Sequence, residues 1–176
     1  MKKVLIVLAS LFVLTGCGVL DLLEEQEPAE GRELVTIERV VDGDTVIVHL
    51  EDGTRERVRL LLIDTPESVK PDTEVQPFGE EASDFAKEFM QEGETVELER
   101  GNPERDDYDR LLAYIWVDGE NVNQLLVEEG YARVAFVYEP NTKYLSELEE
   151  TQEEAKENEE NIWSIPGYAE SRFYEY

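Results

Sequence analysis

Residues 57–67, "RVRLLLIDTPE", decide how the rest of the chain is read. The aliphatic run at 60–63 has the composition of a buried strand. It begins beside Arg59, however, and it stops at Asp64, a Thr-Pro turn and Glu67. A strand that only filled a core would need none of these charges. Upstream lie two more runs of the same character, "LVTIERVV" (34–41) and "TVIVHL" (45–50). Turn chemistry separates them, "DGD" at 42–44 and "EDG" at 51–53. With "RERVRLLLI" (55–63) as the third strand, the segment predicts a β-meander.

Downstream, the loop "SVKPDTEVQP" (68–77) leads to a helix from about Phe78. Its residues Phe78, Ala82, Phe85, Ala86, Phe89 and Met90 share one face, and Gly93 suits its end. Two further strands follow, "ETVELE" (94–99) and "LLAYIWV" (111–117), with the polar "GNPERDDYDR" (101–110) between them. A short helix directs Val122, Leu125 and Leu126 inward and ends at Gly130. An acidic helix at about 142–160 carries a narrow stripe of Tyr144, Leu148 and Ala155. Its glutamates read as a solvated face. Five strands with a helix inserted after the third predict an α+β, mainly β domain, a five-stranded OB-fold barrel with three helices. His49, mid-strand and without a partner motif, reads as structural or surface. Trp116, Trp163 and Tyr131 read as packing residues, and the aromatic tail at 165–176 is expected to pack back on the barrel.

The first residues read as a targeting signal. Lys2 and Lys3 precede "VLIVLASLFVL" (4–14), which is short for a membrane span. "LTGC" (14–17) then looks like a bacterial lipobox. That likeness predicts a signal peptide over 1–16, lipid on Cys17, an acidic tether over 17–33 and a membrane lipoprotein on the extracellular face. A flexible tether of this length spans roughly 20–25 Å. Cys17 is the only cysteine, so an internal disulfide is excluded. The domain proper is expected over 34–164. The formal charge of the 176-residue chain is −27, becoming −29 once Lys2 and Lys3 leave with the leader. Such acidity argues against loose electrostatic binding to nucleic acid or to an anionic membrane surface.

The charged residues form one constellation. In a meander the "DGD" turn and the "DTPE" end can meet at one rim. Carboxylate oxygens gathered there suit Ca²⁺. Arg59 and Arg110 beside such an ion suit a phosphate, which a guanidinium grips with two donors. A further carboxylate could orient or deprotonate a water. Each piece also has a plain structural reading: "DGD" as a tight turn, and Arg59 as an edge residue with a packed stem and a solvated head.

The runs "VVDGDTVIV", "RLLLIDTPE", "YDRLLAYIWVDG", "VNQLLVEEGYARVAFVYEPN" and "NIWS" resemble, in order and spacing, the staphylococcal nuclease (thermonuclease) family. The resemblance covers 34–164 and implies the same barrel. It implies Ca²⁺ ligation by Asp44, Asp64 and the backbone carbonyl of Thr65. Glu67 is implied as general base, and Arg59 and Arg110 as the phosphate-holding, transition-state-stabilising pair. Tyr108 and Tyr138 are implied to contact the bound nucleotide. The implied reaction is hydrolysis of DNA and RNA to 3′-phosphate products, with nucleic acid as substrate, the membrane reached through lipid, and no protein partner evident. Basic family positions are replaced here by Thr73 and Asp107, a tyrosine by Phe136 and a glycine by Asp109. Two other readings remain: a non-catalytic nucleic-acid or protein-binding module on the same fold, and a surface lipoprotein that binds Ca²⁺ structurally.

Overall fold

The computed structural model describes residues 27–69, 74–170 and 173. Strands β1 (Glu33–Asp42), β2 (Thr45–Leu50) and β3 (Arg55–Leu60) form the expected meander. Helix α1 (Gly79–Phe89) follows, then β4 (Thr95–Arg105) and β5 (Leu111–Val117). Helices α2 (Val122–Glu128) and α3 (Leu145–Glu157) complete the order, with a 3₁₀ turn at Asn161–Ser164.

The strands pair in the order β3-β2-β1-β4-β5, and β3 returns to pair in parallel with β5 through Val58↔Leu111, Arg59↔Leu112 and Leu60↔Ala113. That last pairing closes a five-stranded barrel and leaves no long free edge. Alternate residues fill it: Val35 and Ile37 of β1, Val46 and Val48 of β2, Val58 and Leu60 of β3, and Leu98, Ala113 and Ile115 from the last two strands are all buried. Helix α1 seals one side with Ala82, Ala86 and Met90, while its Phe85 and Phe89 pack half-buried. In α2 the inward residues are Val122, Leu126 and Val127; Leu125, expected inward, is half-buried, because the seven-residue helix is rotated toward Val127. Leu148 and Ala155 of α3 are buried and Tyr144 is half-buried, so the acidic remainder faces solvent as predicted.

One expectation fails in an instructive way. The run 55–63 is not one strand. β3 stops at Leu60, and Leu62 takes a left-handed φ of 63°. The turn is held from outside: Leu61 N–H donates to the Ala113 carbonyl (2.9 Å), Asn123 Nδ2 donates to the Leu61 carbonyl (2.9 Å) and Ala135 N–H to the Leu62 carbonyl (2.9 Å). Both leucines stay buried, so their composition reads as strand although the chain has turned. Beyond the turn, Ile63 and Asp64 pair antiparallel with Val134 and Arg133.

The tail does pack. Tyr168, Ala169 and Phe173 are buried in a second apolar cluster with Ile162, against Phe78, Trp163 and Ile165. His49 lies half-buried on β2, with Nε2 3.0 Å from Glu38 Oε2. Cys17 and Thr73 lie outside the described residues.

Candidate active site

The turn between β1 and β2 and the segment after β3 meet at one rim of the barrel. Asp44 Oδ2 accepts the Thr65 N–H (3.1 Å), and the Asp44 carbonyl accepts the Leu60 N–H (2.9 Å). Gly43 permits the approach: a Cβ there would lie 2.8 Å from Thr65 Oγ1. Asp44 is itself oriented by its neighbours, with its N–H on Asp42 Oδ1 (3.2 Å) and the Thr45 hydroxyl donating to its Oδ1 (3.0 Å).

Arg59 is buried in this rim, contrary to a packed stem with a solvated head. Its Nη1 donates to the Leu60 carbonyl (2.6 Å) and its Nη2 to the Ile63 carbonyl (2.9 Å). The same Nη2 lies 3.1 Å from Asp44 Oδ2 and 3.8 Å from Asp64 Oδ1, so one positive group stands between the two aspartates. The Phe136 ring lies 5.2 Å from the guanidinium carbon. Asp64 has a second cationic neighbour that local sequence did not reveal: Arg133 donates to Asp64 Oδ2 from Nε (3.1 Å) and Nη2 (2.9 Å). No motif marks Arg133; only the short pairing created by the turn at Leu62 brings it there.

Two arginines do not exhaust the negative charge. Burial, with the Asp44 charge next and Glu67 adding, pushes the Asp42 carboxyl up to about 7. Burial and then the Asp44 charge also raise Asp64, although Arg133 and Arg59 act to lower it. Asp42 and Asp64 are thus both raised, and the Arg59 guanidinium lies between Asp64 and Asp44. Among the described residues no group of three or more acidic, histidine or cysteine side chains converges as a metal cage. Asp44, Asp64 and the Thr65 carbonyl, the set that the resemblance implies, are hard oxygen donors. Such a set fits Ca²⁺ with positions left for water and phosphate.

Glu67 is set at the rim by its backbone. Its N–H donates to Gln76 Oε1 (2.7 Å) and its carbonyl accepts the Gln76 N–H (3.0 Å). Gly79 passes so close that a Cβ would lie 2.6 Å from that carbonyl. The half-buried carboxylate accepts one N–H, from Val69 (3.0 Å).

Arg59 also lines a cleft of about 490 Å³ shared with Tyr108, Arg110, Phe136 and Tyr138. Arg110 is held by Asp106, whose Oδ2 accepts from Nε (2.7 Å) and whose Oδ1 accepts the Arg110 N–H (2.9 Å). Tyr108 and Tyr138 are 83% and 68% exposed, and Phe136 is 43% exposed, so three aromatic rings present open surface to the cleft. Asp107 lies in the same wall. Asp109 occupies the left-handed region at φ 62°, which accounts for a glycine at that position in the resembled family; aspartate is among the few other residues that adopt it. The structure thus brings Asp44, Arg59, Asp64, Thr65 and Glu67 to one rim, and Arg59 with Arg110, Tyr108 and Tyr138 to one cleft. Asp106 and Arg133 are the partners sequence reading missed; the Asp-x-x-x-Arg spacing of residues 106 and 110 was the one available signal.

The family model described as Staphylococcal nuclease homologue matches residues 57–165. The chain is 48% identical over 139 residues to "Endonuclease YncB" of Bacillus subtilis strain 168, covering 78% of this chain and 65% of that protein. It is 50% identical over 139 residues to "SPbeta prophage-derived endonuclease YokF" of the same strain, covering 78% of this chain and 46% of that protein. The chain thus spans between about half and two thirds of the length of these two relatives. Against "Thermonuclease" of Staphylococcus hyicus it is 41% identical over 175 residues, covering 93% of this chain and 99% of that protein.

Proposed function

The chain belongs to the staphylococcal nuclease family, and from that premise we propose that it is a Ca²⁺-dependent nuclease cleaving DNA and RNA to 3′-phosphate products. The observation that carries this reading is Arg59, which bridges Asp44 and Asp64 on one side and lines the aromatic cleft on the other. A phosphate gripped there lies between the acid rim and the tyrosines. When bound at Asp44, Asp64 and Thr65, Ca²⁺ supplies charge stabilisation for the phosphate oxygens. Arg59 and Arg110 grip those oxygens with paired N–H donors and stabilise the charge that builds on them. Glu67 orients a water and takes its proton as the oxygen attacks phosphorus. The bond from phosphorus to the 5′-oxygen breaks, and that oxygen is completed as a hydroxyl by a proton from solvent. Tyr108 and Tyr138 stack on bases, a contact tolerant of sequence.

The proposal extends to location. The leader and lipobox would anchor Cys17 in the outer face of the cell membrane, with the domain lifted off by the tether. Among the described residues no helix is long and apolar enough to cross a membrane.

The deciding experiment follows release of acid-soluble nucleotides from denatured DNA with Ca²⁺, with EGTA and with Glu67→Gln. We expect release that requires Ca²⁺ and falls about 10²–10⁴-fold in the variant. A folded protein that binds calcium without releasing nucleotide at any salt or pH would instead be a binding module or a structural calcium protein.

A further inference from the structure

Resting on the calcium-site reading above, we propose that Arg133 is a positioning residue for Asp64, and that the C-terminal segment containing Tyr168 and Phe173 is the strap that holds it. Arg133 takes Asp64 Oδ2 with two donors, at 3.1 and 2.9 Å. The other oxygen, Oδ1, is the one that faces Arg59 Nη2 beside Asp44. Arg133 therefore fixes the rotation of the carboxylate and selects which oxygen it offers to the rim. The pairing Asp64↔Arg133 gives the side chain its starting point, and only 14% of that side chain is exposed.

The other face of the guanidinium is covered by the tail. Its carbon lies 5.2 Å from the centroid of the Phe173 ring. Phe173 packs on Tyr168 with centroids 5.1 Å apart, and the two are 3% and 1% exposed. Tyr168 then crosses to the loop before α1, where its hydroxyl donates to the Pro77 carbonyl (2.8 Å). Pro77 follows Gln76, the residue that brackets the Glu67 backbone from both sides. Phe173 thus lies against the partner of Asp64, and Tyr168 against the loop carrying Glu67. Outer partners of this kind commonly govern how well a ligand is presented to a metal.

The test is calorimetric titration of the full chain with CaCl₂, without nucleic acid, alongside melting temperature in EGTA. Removing a positive charge beside a cation site should, by Coulomb's law alone, tighten calcium binding. Loss of orientation has the opposite sign. We expect Arg133→Met to weaken calcium binding about 10-fold or more. Arg133→Lys keeps the charge but not the paired donors, so it should weaken binding as well. Phe173→Leu keeps both the charge and most of the apolar volume, and a smaller weakening in the same direction is expected. KM for DNA at saturating Ca²⁺ should stay at its original value in all three.

Unchanged or tighter calcium binding in Arg133→Met and Arg133→Lys would overturn the positioning role. A Phe173→Leu protein with lower melting temperature but unaltered affinity would overturn the strap, leaving the tail a packing element. An unsubstituted chain that takes up no calcium would overturn the metal reading itself, and this proposal with it, which separates the two failures.

Discussion

The acid rim and the aromatic cleft share Arg59, yet they are built on opposite principles. At the rim, Asp44, Arg59, Asp64 and Thr65 are buried or half-buried and tied to backbone groups of β3 and the turn after it. In the cleft, Tyr108 and Tyr138 stand mostly in solvent, and the wall includes Asp106 and Asp107. The groups proposed to react are thus held by the barrel itself, whereas those proposed to contact substrate are hung on loops around it. The contrast predicts that changes at the rim alter rate and stability together, and that changes in the cleft alter affinity alone.

Arg59→Met should give the largest effect. We expect turnover to fall by about 10³–10⁵-fold, the scale on which an arginine supports a phosphoryl transition state. Without calcium, stability should also fall by about 3–5 kcal/mol, since a buried ion pair would be left half-made. Denaturant melts in EGTA beside steady-state assays check both; lost rate at full stability would separate chemistry from architecture and break the comparison.

Tyr108→Ala and Tyr138→Ala should each weaken substrate binding by about 1–3 kcal/mol, the usual worth of a stacked base. That is roughly 5–150-fold in KM, with kcat and melting temperature near their original values. A drop confined to kcat would move these rings from the cleft's logic to the rim's.

Asp107→Lys tests the missing positive charge. It should tighten binding of single-stranded DNA several-fold at low salt and lose that advantage at about 1 M, where the screening length is roughly 3 Å. The unaltered protein, at −27 overall, should show its best rate at higher salt than the Asp107→Lys variant. A rate that declines steadily from low salt upward in the unaltered protein would remove this idea.

Asp42→Asn acts on stability alone, and it stabilises. Burial raises the Asp42 carboxyl from an ordinary value of 3.8 to about 7. A group so shifted favours the folded state when protonated, and that advantage is lost as pH rises through about 7. Asparagine escapes the loss while keeping an acceptor for the Asp44 N–H. In EGTA its melting temperature should match the unaltered protein near pH 4 and exceed it increasingly up to about pH 7, by some ~2–4 °C per kcal/mol gained. A constant difference across that range would place the effect elsewhere.

Much of this was legible in the residues. Period-two runs and turn chemistry located the five strands, because a closed barrel needs one apolar face per strand. The "DGD" and "DTPE" segments could be placed near one rim from the meander alone, and the structure brings them into contact. The misreading of 55–63 as one strand has a clear origin. Composition reports burial, and Leu61 and Leu62 are buried whether or not the chain turns between them.

The sequence by itself determined the order of elements and the barrel they close, because both rest on local pattern, and the resemblance of its motifs named the candidate reacting groups. Only the tertiary structure decided that Arg59 is buried between two aspartates and that Arg133 holds Asp64. It also decided that Phe173 lies against the Arg133 guanidinium and that the Tyr168 hydroxyl reaches the Pro77 carbonyl. The Arg133 and Tyr168 contacts join residues 69 or more positions apart (Asp64 with Arg133, Pro77 with Tyr168), whereas the aspartates of Arg59 are nearer in the chain. The Asp64–Arg133 pairing follows a left-handed Leu62 that no propensity favours and that three hydrogen bonds with distant segments hold.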